Sequence, residues 1–203
     1  MKLVGITGSI GAGKSYIGNL IGELGGYVYN MDDHVKYLQE TDPWLREEMI
    51  EMFGADIYTD EGLDRKKVGS IIFQDPAKLK KIEDMIRGPI EKDLYCTAYH
   101  VKHTLKYNVM FIENAILYET GQYKRMDHVL MVNAPQKLRM ERVTEKRGMS
   151  EEDFKQRDAI QIDFPTKANA MTSAGIEWTH IWNAPDLPNL KKMIKDIYIK
   201  FSK

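Results

Sequence analysis

The apolar positions of this chain fall into short unbroken runs separated by stretches of helical period, as in strands buried on both faces with helices between them. Leu3, Val4 and Ile6 form the first run, and Tyr16 to Leu24 reads as a helix that Gly25-Gly26 stops. Tyr27-Val28-Tyr29 has the β-branched and aromatic character of a second strand, with Asn30-Met31-Asp32-Asp33-His34 at its carboxyl end and a helix over His34 to Glu40. Asn108 to Ile112, His128 to Val132 and Trp178 to Trp182 read as further strands. Asn133-Ala134-Pro135 opens a helix that ends at Gly148, and Ser150 caps another that Pro165 ends. Leu190, Met193, Ile194, Ile197 and Phe201 mark a closing amphipathic helix after Asn183-Ala184-Pro185.

Between the second and third strands the pattern changes. From Asp42 to about His103 it is mostly helical, with an apolar face of Trp44, Leu45, Met49, Ile50, Met52 and Phe53 before Gly54. Thr59 to Gly62 is a turn, and Asp64 caps a helix through Val68, Ile71, Ile72 and Phe73. Asp75-Pro76 starts one over Lys78 to Ile86, Gly88-Pro89 breaks it, and Ile90 to Leu105 forms another. This block is too long for an ordinary crossover and reads as an inserted helical subdomain that covers a second substrate.

The chemistry concentrates at Gly8-Ser9-Ile10-Gly11-Ala12-Gly13-Lys14-Ser15, which fits G-x-x-x-x-G-K-[ST] at every fixed position, between a strand and a helix. Gly8, Gly11 and Gly13 let successive N–H groups turn toward a phosphate, and the helix opening adds its positive dipole end. Lys14 is placed for the β- and γ-phosphates and the Ser15 hydroxyl for Mg²⁺. Asp32 or Asp33 could take a proton from an acceptor hydroxyl, and one of them could N-cap the following helix. Glu113 ends an apolar strand, where phosphate-loop proteins place an acid that orients Mg²⁺ or its water; a surface glutamate is the competing reading. Arg139, Arg142 and Lys146, with Arg147 nearby, share a helix and three of them one face. That face is either solvated, with Glu141 and Glu145 interleaved, or it faces charge developing on a transferred phosphoryl group.

Composition narrows the classes. The 203 residues carry 29 Lys and Arg against 30 Asp and Glu, a formal net charge of −1, so no broad basic face for nucleic acid is expected. The single cysteine, Cys96, cannot form an internal disulfide and reads as a small core residue. His100 and His103 lack the partners of a zinc site. No apolar run reaches membrane-spanning length, and the opening MKLVGITGS is already strand and loop rather than a signal peptide. The expectation is a cytoplasmic protein with a small-molecule acceptor and neither a nucleic-acid nor a membrane partner.

The sequence resembles the dephospho-coenzyme A kinase family over nearly its whole length. The resemblance rests on Gly5 to Ser15, Leu63-Asp64-Arg65, Phe73-Gln74-Asp75-Pro76, Asp127, Arg142, Gly148, Arg157, Gln161 and Asn183. It implies a phosphate-loop kinase fold of three α/β/α layers around a mainly parallel sheet, with an inserted helical substrate subdomain and a helical lid. The core is expected over about 1–32, 106–138 and 176–203, the subdomain over about 33–105 and the lid over about 139–170. The implied reaction is ATP-dependent, Mg²⁺-assisted phosphorylation of the ribose 3′-hydroxyl of dephospho-coenzyme A, with Asp32 as base and Lys14 and Arg142 stabilising charge. ATP would be held by Gly8, Gly11, Ala12, Gly13, Lys14, Ser15, Tyr16, Arg142 and Asn183, the acceptor by Asp32, Arg65, Glu113, Arg157 and Gln161, and the metal by Ser15 and Glu113.

The departures from the family cluster near the acceptor. Its D-x-D is Asn30-Met31-Asp32 here, its H-P is Gly88-Pro89, its D-x-P-L-L is Glu113-Asn114-Ala115-Ile116-Leu117, and its R-D-G is Lys146-Arg147-Gly148. A related nucleoside or deoxynucleoside monophosphate kinase of the sort viruses carry is therefore the second reading. A regulatory NTPase without an acceptor is a third; its GTPase form is disfavoured because Thr166-Lys167-Ala168-Asn169 lacks the guanine-reading acid.

Overall fold

The computed structural model describes residues 1–184 and 189–203, with the backbone alone for Phe73, Gln74, Pro76 and Arg147; Pro185 lies outside the described residues. The elements in chain order are β1 (Lys2–Gly8), α1 (Lys14–Glu23), β2 (Tyr27–Asn30), α2 (Met31–Thr41), α3 (Pro43–Phe53), β3 (Tyr58–Thr59), β4 (Gly62–Leu63), α4 (Arg65–Gln74) and α5 (Pro76–His103). There follow β5 (Val109–Glu113), β6 (His128–Asn133), α6 (Gln136–Arg147), α7 (Glu151–Ile160), α8 (Phe164–Ser173), β7 (Trp178–Trp182) and α9 (Leu190–Ser202). The chain divides into two compact units, residues 1–30 with 101–203, and residues 31–100.

The larger unit is built on a five-stranded sheet of order β2-β5-β1-β6-β7, parallel throughout. The central strands β1, β5 and β6 read as apolar runs because both faces are covered: Val4, Ile6, Phe111, Ile112, Val129 and Leu130 are fully buried. Each such side chain contributes about 1.5–3 kcal/mol over its exposed state. Ile17 and Ile21 of α1 and Ile194 and Phe201 of α9 pack into the same core. Because the strands run one way, all five carboxyl ends lie along one edge, where open α/β sheets bind ligands.

In the unit of 31–100, side chains close the helix ends as the sequence suggests. Asp64 accepts the Lys67 N–H at 2.9 Å, and Asp75 accepts those of Ala77 and Lys78 at 3.0 and 3.2 Å. The turn at 59–62 joins β3 to β4 in a short antiparallel pair.

Several expectations fail. Gly88-Pro89 does not break a helix, since α5 runs from Pro76 to His103 with Pro89 inside it. A proline costs about 3 kcal/mol within a helix, but two separate helices would leave many more end groups unpaired, and Ile82 and Ile90 are buried on either side. Cys96 is exposed rather than core, on the solvent side of α5 with Tyr95, Tyr99 and His100. Trp44 is 49% exposed, because the buried stripe of α3 is Leu45 and Met49. Helix α2 starts at Met31, so Asp32 and Asp33 lie in its first turn and do not precede it. Pro165 opens α8 behind the Asp163 cap, at a position where the missing N–H costs nothing, and does not end α7, which stops at Ile160.

At the amino end of the sheet, His128 is buried with its ring against Phe201, and its Nε2 shares a 2.8 Å hydrogen bond with Thr179. Its Nδ1 has no hydrogen bond, the Glu177 carboxylate standing 3.6 Å away. Burial, helped by the Lys200 charge, holds its pKa below the ordinary imidazole value of 6.5 against the opposing pull of Glu177. On acidification the unfolded chain therefore takes up this proton first, so the stability is full above about pH 6.5 and falls as pH drops toward the folded pKa. Thermal scans between pH 7.5 and 5 should show that decline, and His128→Gln should flatten it. An unchanged slope would move the effect to another group, such as His180, whose pKa burial also lowers.

Candidate active site

Where β1 ends, the chain turns through residues 9–13 into α1 with no side-chain cap, which leaves the first N–H groups of the helix open to an anion. Gly13 has φ 95°, and a Cβ there would lie 2.1 Å from Asn183 Nδ2, so this turn requires glycine. The fully buried Ala12 offers its carbonyl to Asn183 Nδ2 at 2.9 Å and to Arg142 Nη1 at 3.4 Å. Arg142 Nη2 also donates to Asn183 O at 3.0 Å. Burial lowers the Arg142 pKa, yet a guanidinium stays charged in proteins and has five N–H donors to share. Lys14 Nζ donates to Gly8 O at 2.9 Å and Ser9 O at 3.3 Å, which holds the ammonium over the loop.

Register explains the next group. Glu113 stands opposite Ile6 of β1 on one side and Asn30 of β2 on the other. Its Oε1 accepts the Ser15 hydroxyl at 2.7 Å and its Oε2 the Asn30 amide at 3.1 Å. At 7% exposure it is no surface glutamate. Gly18 makes room for it, since a Cβ there would come within 3.3 Å of Oε2. A hydroxyl beside a carboxylate is a hard-oxygen donor set that fits Mg²⁺. Among the described residues no group of three or more His, Cys, Asp or Glu could hold a metal.

The structure gathers Gly8, Gly11, Ala12, Gly13, Lys14, Ser15, Glu113, Arg142 and Asn183 along this edge, and Gln161 joins them by accepting the Ile10 N–H at 2.8 Å. Tyr16, 45% exposed, and Arg157 point to solvent. In the unit of 31–100, Asp32 is an exposed carboxylate in the first turn of α2, Asp33 pairs with Lys36 at 2.8 Å, and Arg65 donates to Glu40 and to Lys36 O. Residue patterns alone missed the Asn30 amide, the small Gly18 and a buried Arg139–Asp158 pair. For Asn30, its place at the carboxyl end of a strand was the available signal.

A family model described as dephospho-CoA kinase matches residues 2–174. The chain belongs to the dephospho-CoA kinase family. The dephospho-CoA kinase of Aquifex aeolicus is 34% identical over 200 residues, covering 98% of this chain and 96% of that one. The solved TT1252 structure from Thermus thermophilus superposes with a TM-score of 0.78 at 24% identity, covering 100% and 98% of the two chains. Dephospho-CoA kinase from Campylobacter jejuni gives 0.70 at 21% identity, again covering 100% and 98%. These structures share the fold, a phosphate-loop kinase of the α/β class.

As a dephospho-CoA kinase family member, the chain is a phosphotransferase of coenzyme A biosynthesis, and kinase chemistry brings ATP use and a small-molecule acceptor. Among its described residues no helix is long and apolar enough to cross a membrane. Gly13→Ala should destabilise the protein by about 1–3 kcal/mol, a fall in Tm of several degrees, because the new methyl meets Asn183 in a left-handed backbone. A Tm within one degree of the parent would show that the loop yields there.

Proposed function

We propose that this member of the dephospho-CoA kinase family transfers the γ-phosphoryl group of ATP in line to the ribose 3′-hydroxyl of dephospho-CoA, with Asp32 as the base. The buried Glu113, held between Ser15 and Asn30, carries the reading, because it places a fixed carboxylate beside the phosphate loop. Lys14 and the uncapped N–H groups where the loop opens into α1 hold the triphosphate, and Lys14 with Arg142 offsets the charge that develops on the transferred group. Mg²⁺, when bound, would screen the phosphates and polarise the transferred group. Ser15 and Glu113 are the residues that would hold it. Asn183 keeps Arg142 and the loop in one geometry through its links to Ala12.

On the acceptor side, Asp32 takes the hydroxyl proton, its place in the first turn of α2 leaving the carboxylate exposed. Arg65 and Arg157 bind the acceptor in this reading, and residues 31–100 form the acceptor subdomain. The α6–α7 hairpin, turned at Gly148 with φ 61°, belongs to a lid within residues 139–170. Tyr16 lies beside the bound nucleotide.

The experiment is coupled ATP turnover with dephospho-CoA against a panel of nucleoside and deoxynucleoside monophosphates. Stimulation by dephospho-CoA alone is expected, and stimulation by a monophosphate instead would make Asn30, Gly88 and Ala115 marks of a different acceptor. Asp32→Asn should leave ATP binding intact and lower turnover by about 10²–10⁴-fold, the usual worth of a general base. Near-normal turnover would remove Asp32 from that role. Lys14→Ala should weaken ATP binding itself, and an unchanged affinity would refute the loop assignment.

A further inference from the structure

Arg139 is 8% exposed, and its guanidinium is spent inside the protein. Nη1 and Nη2 form a two-pronged pair with Asp158 of α7, at 2.5 and 3.2 Å, while Nε donates to Ala134 O at 3.1 Å. Nη1 also donates to the carbonyl of Ile10 at 3.1 Å. Gln136 Nε2 adds a 2.8 Å bond to Asp158. One turn further along α7, at its carboxyl cap, Gln161 accepts the N–H of the same Ile10 at 2.8 Å. Both backbone groups of the loop's third residue are thus held from outside the loop. The backbone is close as well: at Gly11, φ 74°, a Cβ would lie 2.4 Å from the carbonyl oxygen of Arg139.

Burial pushes the Asp158 carboxyl up, but the hydrogen bonds from Arg139 and Gln136 and the guanidinium charge outweigh it and hold its pKa below the ordinary value. The pairing thus favours the charged carboxylate. A buried ion pair is a weak source of stability compared with an apolar contact of the same size. What this one delivers is position, since its remaining donor and the helix it anchors both end on Ile10.

We infer that the Arg139–Asp158 pair, with Gln161, is a positioning device that fixes the phosphate loop on the α6–α7 hairpin before the nucleotide arrives. The inference rests on the reading that residues 8–15 hold the triphosphate. A loop already fixed at both groups of Ile10 has less ordering to do when phosphates bind, so the device acts on nucleotide affinity. It also assigns Gln161 to the donor loop, where the family resemblance placed it with the acceptor.

Calorimetric titration of the whole protein with ATP, alongside Tm and the KM for dephospho-CoA, tests this. Gln161→Met removes only the acceptor at Ile10 N–H, and Asp158→Asn weakens the pair. Each should weaken ATP binding roughly three- to tenfold, the worth of one hydrogen bond, and leave the KM for dephospho-CoA within twofold. The charge swap Arg139→Glu with Asp158→Arg can restore an ion pair but has no donor at position 139 for Ile10, so weak ATP binding should persist. Recovery of full affinity in the swap would reduce the pair to a tether between helices and overturn the inference. So would ATP affinity within twofold of the parent in Gln161→Met, or a raised KM for dephospho-CoA with ATP affinity unchanged. Should Asp158→Asn or the swap fail to fold, the half-buried Gln161 decides alone. Parent protein that does not bind ATP would overturn the loop reading itself, and this inference with it.

Discussion

A carboxylate taken out of water must find hydrogen-bond donors, because the unpaired charge costs several kcal/mol. Glu113 meets that demand from two directions, the Ser15 hydroxyl on α1 and the Asn30 amide at the end of β2. Its position follows from its place at the end of β5, between β1 and β2, whose registers put Ile6 and Asn30 beside it. The small Gly18 then lets α1 close over the acid. Sheet order, helix packing and the shape of the phosphate loop thus converge on one buried acid, and a kinase whose catalysis is mostly positioning and charge stabilisation gains from such a fixed point.

The other side of the loop is fixed differently. Toward β6 and β7 the contacts are to backbone carbonyls: Asn183 and Arg142 on Ala12, and Arg139 on Ile10. Cationic and amide donors take up these outward carbonyls, Gln161 takes the Ile10 N–H, and the N–H groups where the loop opens into α1 are left to face an anion. The loop needs this support because its glycines, chosen for backbone freedom, offer no side chains to hold it.

The sheet was largely legible in the sequence, as were the loop and the helix caps, and the reasons are local. A strand buried on both faces shows as an apolar run, so the expected strand His128 to Val132 lies within β6, His128–Asn133. An eight-residue glycine pattern carries its own geometry. What failed depended on surroundings that local pattern does not contain. Pro89 reads as a breaker because residue chemistry says so, yet buried positions on both sides carry α5 through it. Cys96 reads as core by type and lies on a solvent face. Arg139 and Asp158 are separated by a turn and most of two helices; in sequence they look like members of two charged surfaces, and only the packing of α6 on α7 makes them partners. For Asp32, Arg65 and Arg157, sequence and family supply a role, and their exposed positions leave that role to experiment.

The departures from the family's acceptor pattern are not independent of one another. Asn30 replaces the first acid of D-x-D, and Glu113 replaces the aspartate of the next strand end. The two stand opposite each other in the β2–β5 register and are joined by the amide-to-carboxylate bond. Two carboxylates facing at that distance would compete for one proton or one cation. An amide, by contrast, donates to its neighbour and leaves Glu113 as a single charge. The longer glutamate also reaches both Ser15 and Asn30. In this chain Asn30 and Glu113 thus form a matched pair, one supplying the donor and the other the reach. Glu113 thereby stands beside the phosphate loop, held by a donor on each side.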